Sequence, residues 1–319
     1  MSALPIPLEA ADRLEIITLM DNYVDALLGD TDVVTRPFIQ KGDEIPRDAL
    51  VAEHGLSMLV TVWQGETAHR ILFDTGHTEI GVPHNLKLME MDLSDIEAIV
   101  ISHGHMDHTG ALYPVLKILS RPIPLVAHPA VFHPRRYIKR PSGRIDRFPN
   151  TLIREDLKNQ GVDLVESTVP TPLAENMILV TGEVERTTAF EKGFPAAMME
   201  QEGEMVPDPI SDDQSLVVNL KGKGLVVISG CAHAGIINTV RYSKKITGME
   251  TVHAVIGGFH LTGPLFEPVI GDTIAAMKDM HPKVLVPMHC TGWRAINQFS
   301  EAFPSAFILN SVGSKYTFS

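Results

Sequence analysis

The stretch "ISHGHMDHTGAL", residues 101–112, places His103, His105, Asp107 and His108 within six positions, directly behind the apolar run Ile99, Val100, Ile101. In extended chain the side-chain period is two, so His103 and His105 point the same way. Asp107 and His108 follow where the chain bends. The arrangement offers an imidazole pair to one metal ion and a carboxylate with an imidazole to a second. Imidazole with carboxylate suits zinc, iron or manganese, and not calcium. A polar surface loop is the competing account. Against it, the four residues lie between a strand and a helix that both read as buried, where uncompensated polar groups are costly.

Four ligands do not close two sites. Further candidates sit at the ends of apolar runs: Cys231 and His233 in "VISGCAHAG", His260 in "VIGGFHLTG" and His289 in "VPMHCTG". His289 is expected to be a ligand. His233 is a ligand or a helix N-terminal cap, and Cys231 is a thiolate ligand or an inert buried thiol. His260 suits a substrate contact or acid better than a ligand, and Cys290 reads as structural. Asp74, in "LFDTG", either accepts the second N–H of a ligating histidine or simply starts the turn before Gly76.

The elements that must position these residues fall into two halves. In the first, "RLEIITLMD" reads as a strand, and 56–65 with 67–76 as a hairpin turning at Gln64-Gly65-Glu66. Residues 79–94 are loosely helical, and 96–102 fit a strand covered on both faces. "TGALYPVLKILS" is helical, with Thr109 as N-cap and Pro114 in the first turn. From 215 the same order returns: a hairpin around "KGKG", then alternating helices and strands to "WRAINQFSEAF", and a last extended segment. Two sheets, each with helices on its outer face, would pack against one another, with the polar residues gathered at one edge.

The middle differs. Residues 120–214 hold eleven of the 22 prolines and read as a long excursion, partly ordered by short strands such as 176–184. Six basic residues, Arg135, Arg136, Lys139, Arg140, Arg144 and Arg147, fall within 13 positions. They form a solvated loop, a clamp on a phosphate-bearing small molecule, or a nucleic-acid contact, for which the single aromatic Tyr137 is a poor stacking platform. Arg135, Arg136 and Arg140 are the expected substrate contacts.

Composition bounds the rest. The 319 residues are 44% hydrophobic with a net charge of −12, which argues against a general nucleic-acid or anionic-membrane surface. Two cysteines give no disulfide framework. The start lacks a signal-peptide pattern, and no stretch approaches ~20 apolar residues, so a soluble cytoplasmic protein is expected. No Gly-rich nucleotide loop precedes a helix.

The run His103-x-His105-x-Asp107-His108, preceded by "LFDTG", resembles the signature of the metallo-β-lactamase superfamily. The resemblance implies an α/β fold of αββα sandwich type, one domain over 1–319, with 120–214 as an insertion covering the active-site edge. It also implies two divalent metal ions, zinc foremost, with iron or manganese as alternatives. The segments "AEHGLS", "TGEVERTTAFE", "SGCAHAGIINT", "GGFHL" and "HCTG" are similar to the dihydropterin-ribofuranosyl-aminobenzene 5′-phosphate synthase-like subgroup. Two departures stand out. The strand that commonly supplies a third histidine has none here, and Gly230-Cys231 replaces the usual Gly-Asp pair that bridges the metals. His233 is therefore expected to complete the first site, with Cys231 beside the second. The expected activity is a hydrolase that directs a metal-bound hydroxide at a small anionic, phosphate-bearing, pterin-like substrate. Asp107 would orient the nucleophile and His260 would donate a proton. A related synthase or transferase, a superfamily nuclease, and a non-catalytic metal or ligand sensor are the alternatives.

Overall fold

The computed structural model describes residues 4–37, 44 and 46–319. Its layers follow from the alternation of apolar side chains along the central strands. In Gly224–Ser229, Val226 and Ile228 join an inter-sheet cluster, while Leu225 and Val227 pack outward against helices. In Thr67–Phe73, Ile71 and Phe73 face inward and Leu72 outward. Strands covered on both faces can be continuously apolar. The result is the αββα sandwich that the sequence implies.

The first sheet runs, in spatial order, Val162–Glu166, Ile123–Ala127, Ala98–Val100, Thr67–Phe73, Ser57–Gln64, Arg13–Met20, Lys315–Phe318 and Val34–Thr35. The second runs Thr171–Leu173, Ile178–Val180, Ser215–Leu220, Gly224–Ser229, Val252–Gly258 and Val284–Met288, with Ala10–Ala11 alongside Ser215–Leu220. Helices Gly81–Leu88 and Leu112–Leu119 cover the first sheet. Helices Ile236–Thr247, Ile270–Met280 and Trp293–Ala302 cover the second. No described helix is long and apolar enough to cross a membrane.

Direction matters more than order. Thr67–Phe73, Ala98–Val100 and Ile123–Ala127 are parallel in one sheet, and Gly224–Ser229, Val252–Gly258 and Val284–Met288 are parallel in the other. Every strand in each set therefore ends at one edge. Asp74, His103, Cys231, His260 and His289 each follow such an end within three residues.

Two expectations change. Thr109 does not cap the helix after it. It closes a short helix, Met106–Thr109, and its hydroxyl donates to the His105 carbonyl at 3.0 Å, while Leu112–Leu119 starts after Ala111 without a side-chain cap. The ligand segment itself takes up the first helical turn. Residues 120–214 are also not one excursion, because Ile123–Ala127 and Val162–Glu166 extend the first sheet and Thr171–Leu173 and Ile178–Val180 extend the second. These strands have only three to five residues, too few to show a period. What leaves the layers is a separate four-stranded sheet of Glu204–Pro207, Ala197–Gln201, Arg136–Lys139 and Ile145–Arg147.

Ile228 is fully buried between the sheets, whereas Ile118 is 49% exposed. Ile228→Ala should cost about 2–5 kcal/mol in urea unfolding, and Ile118→Ala no more than about 0.5.

Candidate metal centre

Three imidazole nitrogens converge at the edge. His103 Nε2 lies 3.0 Å from His105 Nδ1 and 3.1 Å from His233 Nε2, with all three rings buried. The proton positions follow from the neighbours. Ser102 donates its hydroxyl to Asp74 Oδ2 at 2.7 Å, so Ser102 Oγ in turn accepts the His103 Nδ1 proton at 3.0 Å. This leaves a bare lone pair on His103 Nε2. One lone pair cannot serve two ring nitrogens, but a cation shared by all three would satisfy the set. Burial, reinforced by His108 for His103 and by His260 for His233, holds both rings well below the usual histidine range. Burial takes His105 down to about 4 against the opposing pull of Asp107. Neutral imidazoles with lone pairs free are what a metal requires.

A second group adjoins the first. Asp107, His108, Cys231 and His289 are all buried, with ligand atoms within 4.8 Å of one another. His108 Nε2 is 3.1 Å from Cys231 Sγ, and His289 Nε2 is 3.3 Å from Asp107 Oδ2. Burial raises the Asp107 carboxyl, but His108 and His289 outweigh it and hold the group well below the usual carboxylate range. Burial likewise lowers His289, yet Asp107 keeps it up at about 9. Cys231 is pushed up by burial.

Each ring in this second group is oriented from behind. His108 Nδ1 donates to Asp74 Oδ2 at 2.6 Å, turning its Nε2 lone pair towards Cys231. Of the two accounts of Asp74, the structure supports the histidine-orienting one. His289 Nδ1 is 3.0 Å from Asn22 Oδ1, and the His289 backbone N–H donates to Asp21 Oδ1 at 2.9 Å. The turns that aim these groups are sharp: φ is +59° at Asp74, +52° at Ala232, +47° at His260 and +52° at His289. Each such left-handed residue costs on the order of 1–3 kcal/mol and persists where surrounding contacts fix it.

The backbone around the first trio is held by three consecutive residues. Asp212 accepts the Gly104 N–H at 2.8 Å, between His103 and His105. Asp213 accepts the Ala234 N–H at 2.8 Å, just after His233. Gln214 donates its side chain to the Ile101 carbonyl at 2.8 Å and its backbone N–H to the Ser102 carbonyl at 2.9 Å. Arg136 closes the arrangement with two bonds to Asp212, at 2.8 and 2.6 Å. Glu191 does similar work on the helix that follows His233. Its carboxylate accepts the Ile237 and Asn238 N–H groups at 2.8 Å each, while Asn238 Oδ1 accepts those of Thr187 and Thr188.

The expected arginine contacts fare differently. Arg136 is only 5% exposed and is committed to Asp212, with Asp208 beside it, so it is a buried structural ion pair and not a surface contact for a substrate. Arg135 pairs with Glu200, and Arg140 with Asp146. A run of basic residues in sequence does not reveal carboxylates 65 or 76 positions away. Sequence reasoning also missed His54, whose ring stacks on His289 at 5.0 Å and whose Nε2 lies 3.5 Å from Asp107 Oδ2. His260 sits where expected, its ring 4.2 Å from that of His233 and its Nδ1 buried without a partner. Two phenylalanines from the middle segment lie over the first trio, Phe148 on His105 at 4.8 Å and Phe194 parallel to His233 at 6.0 Å.

Removing one partner of a buried ion pair costs about 3–5 kcal/mol. Asp212→Ala should therefore destabilise the metal-free protein by that amount in denaturant unfolding, whereas Arg140→Ala, at an exposed pair, should cost less than about 1 kcal/mol.

The chain is similar to known proteins. Residues 51–185 match the metallo-β-lactamase superfamily model. The chain is 36% identical over 259 residues to 7,8-dihydropterin-6-methyl-4-(β-D-ribofuranosyl)-aminobenzene-5′-phosphate synthase of Methanocaldococcus jannaschii, an alignment covering 80% of this chain and 87% of that one. Among solved structures it resembles a metal-dependent hydrolase of the β-lactamase superfamily at a TM-score of 0.70 and 25% identity, covering 96% of this chain and 98% of the other. Zinc-bound PqqB from Methylobacterium extorquens shares the fold alone, with a TM-score of 0.51, 13% identity and coverage of 96% and 99%. An enzyme by this kinship, the chain belongs to the metallo-β-lactamase superfamily, in the group of the dihydropterin-ribofuranosyl-aminobenzene phosphate synthase.

Proposed function

We propose that the protein is a dinuclear metal-dependent hydrolase of a small, phosphate-bearing, pterin-like substrate. The observation that carries this is the pair of adjoining ligand sets, His103, His105 and His233 beside Asp107, His108, Cys231 and His289. The donor chemistry fits two divalent cations: three imidazoles for the first, and a carboxylate, two imidazoles and a thiol for the second. A thiol among the donors favours zinc or iron over the harder cations. Bound there, such ions supply Lewis acidity and lower the pKa of water towards neutrality.

The chain's own groups then divide the work. Asp107 Oδ2, ringed by His54, His108 and His289 and held as a carboxylate by them, orients the attacking water. His260, its ring 4.2 Å from that of His233, delivers a proton to the leaving oxygen. Asp74, directly for His108 and through Ser102 for His103, keeps both rings in the tautomer whose Nε2 lone pair would meet a metal. The phosphate-bearing, pterin-like substrate is favoured by the name of the methanogen relative. That relative is called a synthase, and the same groups would serve a transfer to an acceptor other than water. Nuclease action loses its sequence support, because Arg135, Arg136 and Arg140 are each matched by a carboxylate.

Metal analysis of the purified protein should give two equivalents per chain. His233→Ala should lose close to one of them and most activity, and Cys231→Ser should keep the first-site metal. Retention of both metals at full occupancy in His233→Ala would transfer the ligand role to Cys231. A screen over phosphomonoesters, phosphodiesters, lactones and a pterin phosphate should show turnover of the phosphate compounds. Turnover of lactones alone would overturn the phosphate reading.

A further inference from the structure

Beside the candidate ligands lies a cavity of about 410 Å³ whose apolar walls none of the roles above uses. Phe190, Phe259, Leu265 and Phe266 give it apolar walls, His233 and His260 line it from the metal side, and Lys192 brings the only ammonium to its lining. Its volume is in the usual range for a small-molecule site.

The walls are flat and mutually braced. His260 meets Phe266 edge-to-face at 4.5 Å, and Phe194 stands behind them at 5.2 Å from His260 and 5.3 Å from Phe266. A box of rings at fixed angles favours a flat guest, which gains offset or edge-to-face contacts that an aliphatic chain cannot make. Two polar features qualify the guest further. His260 Nδ1 is buried without a hydrogen-bond partner, so a heteroatom at the guest's edge would satisfy it. Lys192 is exposed and, among the described residues, has no carboxylate within ion-pair distance, in contrast to Arg135, Arg136 and Arg140. Glu191, its neighbour, is spent on the helix N-terminus.

We propose that this cavity is the seat of a flat heteroaromatic ring of the substrate, held between Phe190 and Phe266, with its edge at His260 and an anionic substituent drawn to Lys192. The proposal rests on the metal-centre reading for where the reacting group lies, while the ring's seat stands on the cavity walls alone.

The test uses the metal-loaded full chain and the intrinsic fluorescence of 6-carboxypterin, with metal content read on every sample. Wild type should bind the dye. Phe266→Ala should raise Kd about tenfold, Phe266→Tyr should restore it, and both should keep the wild-type metal content. Lys192→Ala, a surface change that does not threaten folding, should weaken 6-carboxypterin severalfold and leave neutral 6-hydroxymethylpterin unchanged. Two-metal wild type that fails to bind 6-carboxypterin would overturn the ring seat while sparing the metal centre. So would an equal loss of glycerol 3-phosphate binding in Phe266→Ala. Protein that holds fewer than two metals yet binds the dye through Phe266 would uphold the seat and refute the dinuclear reading.

Discussion

The imidazole trio draws on both halves of the sandwich, His103 and His105 from the first sheet and His233 from the second. Apolar packing between the sheets is strong but non-directional, and so cannot by itself set ligand atoms to within a few tenths of an ångström. The bonds made by Asp212, Asp213 and Gln214 are directional, and they reach the backbone on both sides of the seam. Successive residues on a three-residue stretch cannot separate. A shift of one sheet against the other would have to break at least one of these buried bonds, each expensive to leave unmade. Arg136 makes Asp212 affordable in that position by neutralising it from the separate four-stranded sheet.

Behind the ligands, Asp74 coordinates the protonation of two of them at once. It accepts the Ser102 N–H and hydroxyl and the His108 Nδ1 proton, and through Ser102 it fixes His103 as well. Space there is tight. A Cβ on Gly230 would lie 2.1 Å from Ser102 Oγ, so only glycine can precede Cys231. The thiol in the place of the customary carboxylate is thus held next to a fixed imidazole, His108, at 3.1 Å.

How much of this the sequence shows depends on the range of the interaction. The run from His103 to His108 is dense in donor types, and the ends of the parallel strands mark Asp74, Cys231, His260 and His289 as sharing an edge. Those are local facts. What separates Cys231 from His233 is the turn at Ala232, which sends the thiol towards His108 and the imidazole towards His103. Asn22 is a single polar residue with no pattern around it and meets His289 across 267 positions, while His54 sits in a resembling segment whose sequence does not show that it reaches His289 and Asp107. Arg136 was misread for a related reason: composition shows a charge but not its partner.

The fastening of Glu191 to the start of helix Ile236–Thr247 has a consequence for how this scaffold diversifies. The stretch that carries Phe190, Lys192 and Phe194 is tied to the same helical end that trails His233, through Glu191 to Ile237 and Asn238 and through Asn238 to Thr187 and Thr188. The cavity wall and the turn at His233 are thus fastened to one helix end. A graft of 181–214 from a relative would transplant its selectivity intact only if position 191 and position 238 travel together. Without that pair the new wall would arrive unanchored, and the inherited imidazole would lose the stop that sets its height.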